Sequence, residues 1–172
     1  MRAQTISINS LLAAISLLLA MFGRVLAVPF VPFLKLDISD APAFVAALLF
    51  GIPSGLTILV VVSFLRLLLF SIAGWPGFFI RMLSFITIIF LGIYRKKQKH
   101  IIFYVAMGTL IYILVKTPVS YMFWTLLHLM DPNALKRSIF TIIIPFNLIK
   151  NIINCVLATH FSKPIKKILK IN

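Results

Sequence analysis

Long apolar runs separated by short polar breaks follow one another along this chain. A helix that crosses a bilayer needs about 20 apolar residues, and several runs approach that length. The pattern therefore predicts an all-α integral membrane protein with six transmembrane helices in one bundle, forming a single domain over residues 1–172. The predicted spans cover residues 6–28, 43–50, 56–71, 77–94, 101–127 and 138–161.

Prolines and glycines mark the breaks between the first three spans. The sequence Val-Pro-Phe-Val-Pro at 28–32 ends the first span before a loop at 33–40. Ser39-Asp40-Ala41-Pro42 is a helix-start signal with a capping side chain and an early proline. The apolar run that follows would be about 30 residues long, which is too long for one ordinary span. Gly-Ile-Pro-Ser-Gly at 51–55 interrupts it, so we predict a short second helix.

The N-terminal run allows two interpretations. It begins at Arg2, is apolar over 11–22 and ends in Val-Leu-Ala at 25–27, a pattern that a cleaved signal peptide also shows. As a retained helix, it carries Ser10 with Ala14 and Ser16 with Ala20, pairs of small residues four positions apart. Such pairs let another membrane helix approach closely, although packing within the same bundle explains them equally well.

Composition and charge agree with a membrane protein. With 62% hydrophobic and 12% charged residues, the chain cannot cover itself with a water-facing surface. Nine of the 17 lysines and arginines fall at Arg2, at 95–99 and at 163–170. These stretches should be cytoplasmic, which places both termini inside and explains the net charge of +14 without a nucleic-acid partner. The three acids, Asp37, Asp40 and Asp131, fall in segments predicted to lie outside.

A polar stripe crosses the last apolar run. Asn147, Lys150, Asn151 and Asn154 are spaced i, i+3, i+4 and i+7, so on a helix they share one face. Polar groups at membrane depth are costly and usually face the bundle interior or a cavity. The stripe therefore predicts a ligand or transport site. The alternative is that these side chains form hydrogen bonds that hold neighbouring helices together.

Three more bases lie within predicted spans. Arg66, Arg81 and Lys116 fall toward the external halves of their helices, with no acid in any span to pair with them. Together with Lys150 they predict an outward-facing cavity for a polar heteroaromatic or anionic small molecule. Aromatic residues that such a ligand would stack on are Trp75, Tyr112, Tyr121 and Trp124.

Catalytic chemistry finds little support in the sequence. The chain has no Glu, so a paired-carboxylate site in the membrane is not expected. Its histidines are scattered without metal-ligand spacing, and Cys155 is the single cysteine. An ATP-binding glycine-rich loop is missing as well. We therefore predict no enzyme activity, no metal site and no cofactor. A small structural or pore-forming membrane protein is the alternative to a ligand-binding one.

Two motifs resemble a known family. Leu-Lys-Leu-Asp-Ile-Ser-Asp-Ala-Pro at 34–42, followed by Phe-Gly-Ile-Pro-Ser-Gly at 50–55, resembles the first external loop and second helix of the substrate-binding S components of energy-coupling factor (ECF) vitamin transporters. Pro-Phe-Asn-Leu-Ile-Lys at 145–150 resembles their sixth helix. The similarity is greatest to riboflavin-specific members, in which the loop closes over the ligand and the Asn-x-x-Lys pair contacts it.

The resemblance implies a subunit of the bacterial cell membrane that captures a vitamin outside. A partner transmembrane (T) subunit and two cytoplasmic ATPase subunits would supply the energy. The loop and the polar intramembrane positions together give the predicted substrate-binding residues: Lys35, Leu36, Asp37, Asp40, Trp75, Arg81, Lys116, Asn147, Lys150 and Asn151. In this family small residues of the first helix meet the partner subunit, which corresponds here to Ser10, Ala13, Ala14, Ser16 and Ala20.

Two departures from the riboflavin pattern concern the substrate. Gly-Trp-Pro-Gly at 74–77 is followed by Arg81, and Lys116-Thr117-Pro118 stands near the place of a fifth-helix asparagine. Additional positive charge would suit a carboxylate or phosphate, because a buried Arg gains most from an anionic partner. Pantothenate is therefore a rival substrate, and pyridoxine or hydroxymethylpyrimidine are further alternatives.

Overall fold

The computed structural model describes residues 3–23, 37–70, 74–126 and 138–169, and every regular element in these ranges is helical. A π-helical segment, Ile139–Ile143, leads directly into the last α-helix. The α-helices are α1 (Ala3–Phe22), α2 (Ala41–Phe50), α3 (Ile52–Phe70), α4 (Gly74–Met82), α5 (Phe85–Lys97), α6 (Ile101–Leu126) and α7 (Ile144–Leu169).

Five helical stretches in the described ranges are long and apolar enough to cross a membrane. They are α1, most of α3, α4 together with α5, α6, and the π-helical segment together with α7. The ten residues of α2 are apolar, but at about 1.5 Å per residue they extend only about 15 Å. The helical membrane class is therefore supported, whereas the count of six spans and the cytoplasmic position of both termini stay predictions.

The short helix α2 lies at the centre of the bundle. It contacts α1, α3, α5 and α7, and every residue from Ala41 to Leu49 is buried. A helix that is apolar on all sides has no face suited to water, so burial on every side is the arrangement that its sequence favours. The core of the protein forms around it, with Phe44, Leu49, Ile58 and Ile88 among its fully buried side chains.

The junction between α2 and α3 depends on two glycines. Gly51 ends α2 with a φ of 100°, a backbone conformation that side chains rarely permit, and its N–H donates to the Ala47 carbonyl. A Cβ added to Gly55 would lie 2.9 Å from the Ala43 carbonyl oxygen, so α3 packs directly on the α2 backbone. The interruption predicted here is confirmed, although α3 already resumes at Ile52 rather than at residue 56.

The fourth predicted span is divided. Residues 77–94 were expected to form one helix, but a turn at Leu83 and Ser84 separates α4 from α5, and α5 continues to Lys97. Ser84 is buried at this turn. The break was not predicted, because Ser84 and Thr87 are the only polar side chains from 82 to 93, and isolated small polar residues do not interrupt a membrane helix.

The small residues of α1 do not share one surface. Ser10 and Ala14 are exposed and Ala13 is half-buried, whereas Ser16 and Ala20 are buried against the rest of the chain. For Ser16 and Ala20 the burial matches the alternative interpretation, packing within the same bundle. The contact of this surface with a partner subunit stays a prediction.

Candidate functional site

A cavity of about 230 Å³ opens between α3, α4, α6, the π-helical segment and α7. The segment 37–40, which immediately precedes α2, contributes one wall through Asp37. Its lining combines charged and polar groups with aromatic and aliphatic ones: Asp37, Arg66, Ile80, Lys116, Thr117, Ser120, Tyr121, Trp124, Ile139, Ile143, Phe146, Asn147 and Lys150. Such a mixed lining is typical of a small-molecule site.

Asp37 is the centre of a group of ion pairs. Its Oδ2 lies 2.6 Å from Arg66 Nη1, 3.4 Å from Arg81 Nη1 and 4.0 Å from Lys150 Nζ. Its Oδ1 accepts a hydrogen bond of 2.9 Å from the Ser39 backbone N–H, so the carboxylate also turns the chain locally. One carboxylate therefore connects α3, α4 and α7.

Asp40 pairs with the same cluster from the start of α2. Its Oδ1 lies 2.8 Å from Arg81 Nη2, and its Oδ2 accepts from the Ser84 hydroxyl at 3.3 Å. Asp40 does occupy the N-cap position, but its side chain makes no capping hydrogen bond. The predicted capping side chain is therefore wrong, because Arg81 and Ser84 engage the carboxylate instead.

The sequence places the acids of this cluster in a loop and its bases within spans, with no acid in any span to pair with them. Asp37 and Asp40 are only 6% and 4% exposed, and they partner Arg66, Arg81 and Lys150. The interpretation of these bases as unpaired is wrong, because the loop acids fold down onto them. Buried charges are tolerated when they are paired in this way.

The neighbouring cations keep Asp37 ionised. Burial alone would raise the pKa of this carboxyl, but Lys150, Arg81 and Arg66 together outweigh burial and hold its pKa well below the usual range. Three cations face two carboxylates in the cluster, which leaves an excess of one positive charge. The electrostatic character of this side of the cavity is therefore cationic.

Further hydrogen bonds attach the segment 37–40 to the bundle. The Ser16 hydroxyl of α1 donates to the Ser39 carbonyl oxygen. Arg66 and Arg81 each donate to the Ser39 hydroxyl, at 2.9 and 3.0 Å. Asn154 of α7 donates to the Asp37 carbonyl oxygen at 3.2 Å. The segment is thus fixed by α1, α3, α4 and α7 together.

Lys116 forms a second polar group on the other side of the cavity. Its ammonium donates to the Tyr112 hydroxyl at 2.6 Å and to Asn147 Oδ1 at 2.8 Å. The amide nitrogen of Asn147 in turn donates to the Ile143 carbonyl oxygen at 2.8 Å, at the end of the π-helical segment. Pro118, two residues further along α6, has no N–H for the usual bond to residue 114.

The other two asparagines of the α7 stripe serve packing. Asn151 is buried, donates to Thr109 at 2.8 Å, and exchanges longer hydrogen bonds with Thr87. Asn154 is 1% exposed and donates to the carbonyl oxygens of Asp37 and Lys150. For Asn151 the alternative interpretation, hydrogen bonds between helices, matches the contacts, whereas Asn154 attaches α7 to the segment 37–40.

The predicted substrate-binding residues fall into five groups. Asp37, Lys116, Asn147 and Lys150 line the cavity. Asp40 and Arg81 lie behind the wall in the ion-pair cluster, and Asn151 lies in the packing contact with α5 and α6. Trp75 is 59% exposed, makes an edge contact with Phe78, and is not among the lining residues. Lys35 and Leu36 lie outside the described residues.

Sequence reasoning missed several lining residues. Thr117 and Ser120 of α6 belong to the cavity, as do the apolar Ile80, Ile139, Ile143 and Phe146. A signal for the α6 members was present, because Lys116, Ser120 and Trp124 are four residues apart and share one face with Thr117 and Tyr121. The apolar lining residues gave no signal in the sequence, since an aliphatic residue that faces a cavity cannot be told by its type from one that faces lipid.

The arrangement is suited to binding a small molecule rather than to catalysing a reaction. It offers cationic donors and aromatic rings to a small ligand. Among the described residues no group of His, Cys, Asp or Glu is arranged to hold a metal ion. The carboxylates are occupied by ion pairs, so they are poorly suited to act as a general acid or base.

Comparison with known proteins gives three concordant similarities. Residues 4–160 match the family model described as the substrate-specific component of ECF transporters. The chain is 29% identical to the riboflavin transporter RibU of Streptococcus thermophilus, over 93% of this chain and 82% of that protein. It also resembles a solved S component of a bacterial ECF transporter, with a TM-score of 0.77, 27% identity and 99% of both chains covered. The resemblance read from the two sequence motifs is confirmed.

Proposed function

Because this chain belongs to the substrate-specific components of ECF transporters, we propose that it captures riboflavin at the cavity beside Asp37. The observation that carries this proposal is the lining itself, which places the ammonium groups of Lys116 and Lys150 in the same cavity as the aromatic rings of Tyr121 and Trp124. Riboflavin carries a flat ring system with carbonyl oxygens at one end, so it needs both stacking surfaces and donors.

Relatives support the choice of riboflavin. A protein named as a riboflavin transporter is 29% identical over most of both chains. The Asn-x-x-Lys pair that the resemblance associates with the ligand is present as Asn147 and Lys150, and both line the cavity. Family membership also argues against a merely structural or pore-forming protein.

We propose that transport requires further subunits. The chain has no ATP-binding loop of its own, so a T subunit and two cytoplasmic ATPase subunits would supply the energy. The exposed small residues Ser10 and Ala14 of α1 offer a surface on which a helix of the T subunit can approach closely. The chain would lie in the bacterial cell membrane, with the cavity facing outward.

An anionic vitamin such as pantothenate is the second candidate. Cations exceed carboxylates around the cavity, and Lys116 adds a charge beyond those of the ion-pair cluster. The volume of about 230 Å³ is also smaller than the roughly 300–1,000 Å³ of typical ligand pockets. A single-chain carboxylate is smaller than the tricyclic flavin, so a cavity of this volume favours the carboxylate.

Titration of the purified chain in detergent tests the proposal. Riboflavin should bind saturably with quenching of flavin fluorescence, because stacking on Tyr121 or Trp124 shortens the excited state. Pantothenate, followed by calorimetry, serves as the comparison. Binding of pantothenate without riboflavin would favour the second candidate, and binding of neither would overturn the proposed function.

A further inference from the structure

Lys116 differs from the other two cations of the cavity wall in what surrounds its charge. Arg66 and Lys150 both lie beside the carboxylate of Asp37. Lys116 forms no ion pair with any described acid, and its two hydrogen-bond partners are neutral. Asp37 and Asp40 attract this ammonium only from beyond ion-pair distance, so its environment favours a ligand that brings an acceptor.

One donor of this ammonium is left for a ligand. An ammonium has three N–H groups, and the Tyr112 hydroxyl and Asn147 Oδ1 accept from two of them. Tyr112 is only 3% exposed and therefore holds its end of the contact inside the bundle. The third N–H has no acceptor among the described residues, and Lys116 lines the cavity.

Asn147 is occupied at both ends of its amide. Its oxygen accepts from Lys116, while its nitrogen donates to the Ile143 carbonyl oxygen at the end of the π-helical segment. π-Helical turns are rare and often occur at functional sites. This contact orients the amide oxygen toward Lys116, so the backbone of the π-helical segment helps to determine where the ammonium of α6 lies.

On the basis of the proposed function, we propose that Lys116 is the specificity-determining residue of the cavity and that Asn147 acts through it. The third N–H of Lys116 donates to an acceptor oxygen of the bound vitamin. That oxygen is a ring carbonyl if the vitamin is a flavin and a carboxylate if it is pantothenate. Asn147 is a positioning residue, which holds the ammonium in place, so the ligand contact that the resemblance implies for Asn147 passes here to Lys116.

Substitutions of Lys116 test its contact with the ligand. Lys116→Met keeps the length of the side chain and removes every donor, so affinity should fall about 10- to 100-fold, the range for a lost charged hydrogen bond. Lys116→Gln retains a neutral donor. It should restore part of the affinity for either kind of oxygen, but the loss that remains should be larger for a carboxylate, which has also lost its opposite charge. Lys163→Met, at an exposed lysine of α7, is the matched control and should bind like the wild type.

A double-mutant cycle tests the role of Asn147. Asn147→Leu should weaken binding about tenfold in the wild-type chain, because the ammonium is no longer held. In the Lys116→Met background the same substitution should change affinity less than about threefold. An equal loss in both backgrounds would mean that Asn147 contacts the ligand directly, and would overturn its assignment as a positioning residue.

The outcomes separate this inference from the proposed function. If the wild type binds riboflavin or pantothenate and Lys116→Met binds it equally well, the inference is wrong while the proposed function stands. If the wild type binds neither vitamin, the proposed function fails and the inference fails with it. Size-exclusion profiles and melting temperatures establish that each variant is folded. Should Lys116→Met not fold, the comparison of Lys116→Gln with the wild type decides the question.

Discussion

The two halves of the polar stripe on α7 have the same chemistry but different surroundings. In the first half, Asn147 and Lys150 line the cavity and contact Lys116 and Asp37. In the second half, Asn151 and Asn154 are buried, and their donors are used by neighbouring helices and by backbone carbonyls. In the first half Lys150 faces the space open to a ligand and Asn147 holds Lys116 there, whereas the hydrogen-bonding groups of the second half are used in packing.

The difference teaches that helical spacing alone does not assign a polar residue to binding. All four side chains share one face of α7, and all four avoid lipid, as the cost of burying polar groups requires. What separates them is whether another helix fills the space opposite. Near Asn151 the hydroxyls of Thr87 and Thr109 fill that space, while near Lys150 it stays open as the cavity.

The largest effect should come from Asp37, which touches both halves of the stripe. Asp37→Ala leaves Arg66 and Arg81 without one carboxylate partner, and removing one side of a buried ion pair costs about 3–5 kcal/mol. The Asp37 carbonyl oxygen still accepts from Asn154 in this variant, so the expected loss of stability comes from the broken ion pairs alone. Chemical denaturation in detergent measures it.

Asp37→Asn serves as the control for this substitution. It keeps an oxygen that can accept from the Ser39 N–H while removing the negative charge. A stability equal to that of the wild type would show that the ion pairs contribute nothing, contrary to the expectation.

Removing the charge of Lys150, in the first half of the stripe, should affect ligand binding more than protein stability. Lys150→Met should weaken vitamin binding by about 1–3 kcal/mol, the scale of a lost hydrogen bond to a charged group. The melting temperature should change little, because Asp37 keeps Arg66 and Arg81 as partners. Ligand titration and a thermal melt on the same preparation measure the two quantities. A large loss of stability with unchanged affinity would place Lys150 with the packing half.

The reverse outcome is expected for Asn151 in the second half. Asn151→Leu leaves the buried hydroxyls of Thr87 and Thr109 without their partner, at a cost of about 1–3 kcal/mol in the free energy of unfolding. Vitamin affinity should be that of the wild type. If affinity falls while stability is retained, the division of the stripe is incorrect.

Substitution of Asn154 should also lower the stability of the protein, but by less than substitution of Asn151. Its amide nitrogen donates to two backbone carbonyls, but its buried Oδ1 has no partner among the described residues. Asn154→Leu removes that unsatisfied oxygen together with the two hydrogen bonds, so the net destabilisation should be about 1 kcal/mol or less. A stability loss as large as that of Asn151→Leu would contradict this account.

The smallest effect on the isolated chain should come from the exposed face of α1, remote from the stripe. Ala14→Leu should leave ligand affinity and stability unchanged but weaken assembly with the T subunit, because the larger side chain prevents close helix approach. Ala106→Leu, at an exposed alanine of α6, is the matched control. Co-purification of the T subunit measures assembly. If both variants recover the same amount of T subunit, the exposed face of α1 is not the interface with that subunit.

Much of the architecture was readable because its signals are local. Apolar run length indicated the membrane helices, and Gly51 with Pro53 indicated the break between α2 and α3. The turn at Ser84 was missed, since it lies inside an apolar run and is associated with a contact to Asp40. The same limit applies to the cavity, where the polar members of α6 and α7 were visible as periodic positions and the aliphatic members were not.

The sequence by itself determined a helical membrane protein with a polar stripe on its last helix and extra bases in its spans, because hydrophobic length and helical period are properties of neighbouring residues. Only the tertiary structure decided which charges meet. Asp37 pairs with Arg66, 29 positions away, and its carbonyl accepts from Asn154, 117 positions away. Such contacts depend on how whole helices pack around α2, and no local pattern specifies that packing.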